Sequence, residues 1–142
     1  MKNPEIRPSY TYQNQDGTRS TQWRKWPYDW DNRSDIELIH REDGPAIIYS
    51  NGTKKWFKHG KLHRDDGPAI EWHNGGKEWW HEGQYHRLDG PALIHSTAKM
   101  GFKDEWWING FRYKFKDFCE EVKQLITDEE YLMLILTYGD SA

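Results

Sequence analysis

Three stretches of the chain set a histidine, an arginine and an aspartate within four residues: His40-Arg41-Glu42-Asp43, His63-Arg64-Asp65-Asp66 and His86-Arg87-Leu88-Asp89. An imidazole beside a carboxylate is a pairing suited to general acid–base chemistry, and arginine suits phosphate or carboxylate binding. His59 with His63, and His81 with His86, are spaced four and five residues apart and are candidate metal ligands. Zinc, however, wants three or four converging ligands, and nothing in this spacing demands them. A catalytic centre is normally built once, from unlike groups meeting at one point. Here the cluster recurs: HREDGPAI, HRDDGPAI and HRLDGPAL begin at His40, His63 and His86, at intervals of 23 residues. Copies strung along a repeat are scaffolding. In such a turn aspartate accepts backbone amides, glycine can take positive φ and proline fixes the exit into the next strand. Arginine is placed to pair with the aspartate or with a neighbouring unit's carboxylate, and the histidines are expected to form a ladder. No catalytic residue, no metal and no cofactor is predicted.

The elements that must position these groups follow from the same period. Residues 51–64, NGTKKWFKHGKLHR, align without a gap to residues 74–87, NGGKEWWHEGQYHR. FKDEWWINGFRY, residues 102–113, is a divergent further copy with Tyr113 in place of histidine, and YQNQDGT at 12–18 echoes YSNGT, so a degenerate copy is expected near Tyr12. Each unit reads as a β-hairpin: a short strand opened by proline (46–49, 69–72, 92–95), an Asn-Gly turn and an aromatic return strand. Alternation puts Ile47, Ile70 and Leu93 on one face and Ile48, Glu71 and Ile94 on the other. Trp56, Trp79 and Trp106 share one side of the return strands, with Phe57, Trp80 and Trp107 on the reverse.

Near the C-terminus the period changes. Phe115, Phe118, Cys119, Val122, Leu125 and Ile126 recur at helical spacing. Thr127 with Glu130 makes a capping-box pattern before an apolar run that stops near Gly139. The predicted fold is therefore mainly β with C-terminal α: an elongated, twisted antiparallel sheet of tandem hairpins, capped by two short helices. Residues 1–31 form an aromatic and basic segment, 32–113 the repeats and 114–142 the helical cap, within one folding unit. Only 35% of residues are hydrophobic and nine are Trp. A thin sheet of this kind draws its burial from large flat side chains, each covering about 150–250 Å².

GKLHRDDGPA (60–69) and GQYHRLDGPA (83–92) resemble the MORN repeat, a β-hairpin unit of the same length with Gly-x-x-His at a turn. The paired tryptophans and the HRxDGPA variant look closer to tryptophan-rich MORN-like proteins of bacteria, phages and large DNA viruses. Standard MORN repeats carry Gly-x-Gly after the histidine where this chain has Arg-x-Asp-Gly-Pro. The resemblance covers about half the chain, implies an antiparallel sheet and implies no enzymatic activity. For a phage-type protein it implies binding that inhibits or redirects a host factor.

Charge and composition narrow the partners. The formal net charge of −3 speaks against nucleic acid. The interleaved Trp23, Arg24, Lys25, Trp26, Tyr28 and Trp30 suit packing over the sheet better than base stacking. No apolar run is long enough to span a bilayer, the N-terminus has no signal-peptide pattern, and one cysteine, Cys119, excludes an internal disulfide framework. A soluble, cytoplasmic protein in a reducing compartment is expected, with Cys119 an inert helix thiol. The functional expectation is a non-enzymatic protein-interaction module, since Trp, Tyr and Arg dominate binding hot spots. Its candidate sheet-face contacts are Trp56, Phe57, Trp79, Trp80, Trp106, Trp107, Arg41, Arg64 and Arg87. Its candidate helix contacts, to a partner protein or a second copy, are Tyr131, Leu132, Leu134 and Ile135. The alternative is a small-ligand binder that holds a nucleotide or phospholipid head group between those arginines and tryptophans.

Overall fold

The computed structural model describes residues 7–24, 39–96 and 103–139. Two longer strands come first, β1 (Arg7–Gln13) and β2 (Arg19–Arg24). Short strands follow: β3 (Ile47–Tyr49), β4 (Lys54–Lys55), β5 (Phe57–Lys58), β6 (Lys61–Leu62), β7 (Ile70–Glu71) and β8 (Lys77–Glu78). The chain then continues through β9 (Trp80–His81), β10 (Gln84–Tyr85), β11 (Leu93–Ile94), β12 (Trp106–Ile108) and β13 (Phe111–Tyr113). Helices α1 (Phe115–Val122) and α2 (Asp128–Tyr138) close it. The fold is mainly β with C-terminal helices, as the periodicities predict.

Seven strands pair antiparallel in the order β1-β2-β3-β4-β7-β8-β11, while β5–β6, β9–β10 and β12–β13 are separate two-stranded ladders. One tryptophan per unit is the corner between these two systems. The Trp56 N–H donates to Ala69 O in the sheet at 2.8 Å, and its carbonyl accepts from His63 N in the hairpin at 3.2 Å. Trp79 does the same with Ala92 and His86, at 2.7 and 3.1 Å, and Trp23 with Ala46 and His40, at 2.8 and 3.2 Å. Trp23 therefore holds a repeat corner, although 25–38 lie outside the described residues. Ala46, Ala69 and Ala92 are wholly buried at these corners.

Successive hairpins are tied to one another as well. Arg41, Arg64 and Arg87 donate their backbone N–H to the carbonyls of Phe57, Trp80 and Trp107 at 3.1–3.2 Å. The hairpin tips His59-Gly60, Glu82-Gly83 and Asn109-Gly110 have positive φ at both residues, the signature of a two-residue type I′ turn. The Asn-Gly turns are of another kind. Asn51 Oδ1 accepts from Thr53 N, and Gly52 at φ 93 closes a G1 bulge on Tyr49 O.

In the sheet, Ile47, Lys55, Ile70, Glu78 and Leu93 form one cross-strand row, and Ile48, Lys54, Glu71, Lys77 and Ile94 the other. Alternation sorts the two rows correctly, and the structure shows the first to be the more buried. Strands of two residues present one side chain per face, so the repeats cannot build a large core. The apolar core lies at the helical end, where Ile108, Phe118, Cys119, Val122 and Leu134 pack together. Thr127 and Glu130 form the reciprocal capping box that starts α2.

Candidate interaction surfaces

The three arginines are bound within their own turns. Arg41, Arg64 and Arg87 donate from Nε to Asp43, Asp66 and Asp89 at 2.7, 2.8 and 2.7 Å. From Nη1 they donate to the carbonyls of Pro45, Pro68 and Pro91 at 3.3, 3.2 and 3.2 Å. Their guanidinium carbons lie 4.4, 4.1 and 3.9 Å from the ring centroids of Trp23, Trp56 and Trp79, a cation–π arrangement. Arg64 also reaches Glu71 at 3.1 Å. Hydrogen bonds from the guanidinium hold the carboxyls of Asp43 and Asp66 below their ordinary pKa. At the turn glycine a larger residue would crowd the arginine. A Cβ on Gly44, Gly67 or Gly90 would stand 3.2, 3.0 or 2.7 Å from the guanidinium carbon. None of the three has the positive φ that the turn reading allowed, so here glycine admits arginine.

Trp106, in the last unit, shows what replaces the arginine. Lys114 follows Tyr113 where Arg87 follows His86, and Trp106 packs against Phe115, Phe118 and Tyr138 at 4.8, 4.9 and 5.1 Å. It is thus a core contact between sheet and helices. On the reverse side, the tilted rings of Trp80 and Tyr85 lie 3.8 Å apart and Tyr85 meets Trp107 at 5.3 Å. Phe57, the first-unit counterpart of Trp80, is half-buried opposite Leu62.

Glu78 anchors this aromatic row, and sequence reasoning missed it. Buried, it accepts hydrogen bonds from Trp72 Nε1 at 2.6 Å, Trp80 Nε1 at 2.9 Å and Tyr85 Oη at 2.9 Å. Burial, and then the Glu78 carboxylate, push the Tyr85 phenol well above its ordinary value. The available signal was a charge reversal, since Glu78 stands where the preceding unit has Lys55. Burial lowers the pKa of Lys55, whose ammonium lies 5.2 Å from the Trp72 ring.

Each repeated histidine reaches the next unit's hairpin tip. His40, His63 and His86 accept at Nδ1 from the backbone N–H of His59, Glu82 and Asn109, at 3.0, 3.1 and 3.2 Å. The expected ladder of equivalent histidines is replaced by contacts with residues of the tips: His40 stacks on His59 at 4.6 Å, and His81 stands between His63 and His86 at 4.6 and 5.7 Å. His63 is brought to His81, a pairing that proximity along the chain does not suggest.

Of the four helix candidates, Leu134 is buried, and Tyr131 and Ile135 pack half-buried against the core cluster. These three lie on the inner face of α2, so only Leu132 is a surface residue. The exposed apolar set is Leu132, Met133 and Leu136 on the outer face, at 57, 57 and 70% exposure, with Leu125 after α1 at 57%. Cys119 is buried, and burial raises its thiol pKa, which disfavours the nucleophilic thiolate. No helix among the described residues is long and apolar enough to cross a membrane. No family model, no curated protein and no solved structure matches the chain.

Proposed function

We propose that this chain is a non-enzymatic protein-interaction module whose contact is the outer face of α2. The observation that carries this reading is the apolar stripe of Leu132, Met133 and Leu136, exposed on a helix whose opposite face is already seated in the core. Three large apolar side chains on one exposed helix face suit insertion into a partner's groove. The repeat sheet serves as the rigid base, and the half-buried row Trp80, Tyr85, Trp107 offers a secondary contact beside it. The resemblance of the HRxDGPA repeat to proteins of bacteria, phages and large DNA viruses supports a host-cell protein as the partner, inhibited or redirected by capture in a reducing compartment.

The geometry favours the small-ligand alternative less. A phosphate held by Arg41, Arg64 or Arg87 would compete with each arginine's own aspartate, proline carbonyl and indole.

A photoreactive amino acid placed at Leu136 in the producing cells tests the proposal. One dominant heterologous adduct is expected, lost in Leu132→Lys and retained in Trp80→Ala/Trp107→Ala. Adducts between two copies of this chain alone would make the face a homodimer contact and overturn the host-partner reading. Absence of any heterologous adduct at Leu136 would remove the helix from the interface, and an adduct that survives Leu132→Lys would refute the apolar stripe as what holds the partner.

A further inference from the structure

We propose that the middle repeat binds a divalent transition-metal ion through His63, Asp65 and His81. The repeat supplies its own controls. At the positions of Asp65 and His81, the preceding unit has Glu42 and Lys58 and the following one Leu88 and Ile108. The preceding unit has His40, Glu42 and His59, but among the described residues only the middle unit brings ligand atoms of two imidazoles and a carboxylate within 4.8 Å of one another.

The groups converge. His63 Nε2 lies 3.1 Å from Asp65 Oδ1, and that oxygen lies 3.8 Å from His81 Nε2. The three candidate ligand atoms fall within 4.8 Å of one another. Ligands about 2.0–2.1 Å from a tetrahedral ion stand about 3.3 Å apart. Small rotations close the difference, because the His81 and Asp65 side chains are 49 and 72% exposed. His63 is the fixed member. It is 8% exposed, and its Nε2 points into the cluster with no hydrogen-bond partner among the described residues.

The tautomer can be supplied as well. A metal on Nε2 requires the imidazole proton on Nδ1, where the ring now accepts the Glu82 N–H. Glu82 Oε1 is 3.1 Å from that nitrogen. It can take the proton's hydrogen bond in place of the backbone contact, and carboxylates commonly back metal-bound histidines this way. The other two tips have His59 and Asn109 at this position, neither a carboxylate. Two imidazoles and one carboxylate select zinc, cobalt, nickel or copper over calcium and magnesium.

The test is titration of the untagged, metal-stripped full chain with Zn²⁺ against a chromophoric chelator, and with Co²⁺ followed by its visible absorption. One equivalent of each should bind. His81→Ala and Asp65→Asn, both at exposed positions, should abolish binding without lowering the melting temperature. Glu82→Gln should weaken it about 10–100-fold, and His59→Ala in the preceding unit should leave it unchanged. Absence of stoichiometric binding, or binding that survives His81→Ala, would overturn the site. Equal loss in His59→Ala would also overturn it, by showing diffuse binding to a histidine-rich surface.

Discussion

Arg64 lies over Trp56 with its guanidinium carbon 4.1 Å from the indole centroid, while Nε holds Asp66 and Nη1 holds the Pro68 carbonyl. One side chain thus joins the return strand to the turn that follows it. Lysine keeps the charge but loses the planar fork. Arg64→Lys should therefore cost about 1–2 kcal/mol in urea unfolding, with Arg64→Ala costing more. Equal stability of wild type and Arg64→Lys would show that the stacking adds nothing.

The glycine of each Asp-Gly-Pro turn gives a ranked series. A Cβ at Gly90, Gly67 or Gly44 would approach the guanidinium carbon to 2.7, 3.0 or 3.2 Å. Alanine substitutions should destabilise in that order, by about 1–3 kcal/mol for the worst, the range expected of overpacking. A reversed order in thermal melts would mean that backbone conformation, not room for arginine, selects glycine.

Glu78 should be intolerant of truncation. Glu78→Ala removes the acceptor shared by Trp72, Trp80 and Tyr85 and should cost about 1–3 kcal/mol, the range for lost hydrogen bonds to a charged group. Glu78→Gln should lower the Tyr85 pKa toward its ordinary 10.0, because it removes both the carboxylate acceptor and its charge. The raised phenol pKa contributes stability that is full below pH 10 and is lost as the pH rises through the folded value. Absorbance titration at high pH reads this, and an unchanged Tyr85 titration in Glu78→Gln would refute it.

Helix α2 should respond to its cap. Thr127 backbone and side-chain hydrogen bonds hold the Glu130 carboxyl below its ordinary 4.5. That contribution is present above the unfolded pKa and lost as the pH falls through the folded one. Thr127→Ala should cost about 1 kcal/mol and return the Glu130 carbon resonance to ordinary titration.

Glu82 sits at φ 49, a left-handed conformation that suits asparagine better. Glu82→Asn, which copies Asn109 of the next tip, should raise stability by about 1 kcal/mol while weakening Zn²⁺ binding. A gain in stability with metal affinity intact would leave the carboxylate without a role at this tip.

Much of the fold was legible because the hairpin period is written in local chemistry. Proline opens the strands, asparagine and glycine shape the turns, and alternation sorts Ile47 and Ile70 from Ile48 and Glu71. The helices were equally readable, from the spacing of Phe118, Cys119 and Val122 and from the Thr127–Glu130 cap. The surface assignments were less so. Leu134 belongs to the core, Tyr131 and Ile135 pack against it, and Leu132, Met133 and Leu136 are exposed, because a helix apolar on every side does not announce which side will be covered.

By itself the sequence determined the repeat, its hairpins and the recurring company of arginine and aspartate, since each depends on residues a few positions apart. Tertiary structure decided which indole each arginine covers, that glycine is there to admit the guanidinium, and that His63 meets His81 rather than His59. Those outcomes depend on how one unit is stacked on the next, and stacking distances are set by backbone pairing between strands, not by spacing along the chain.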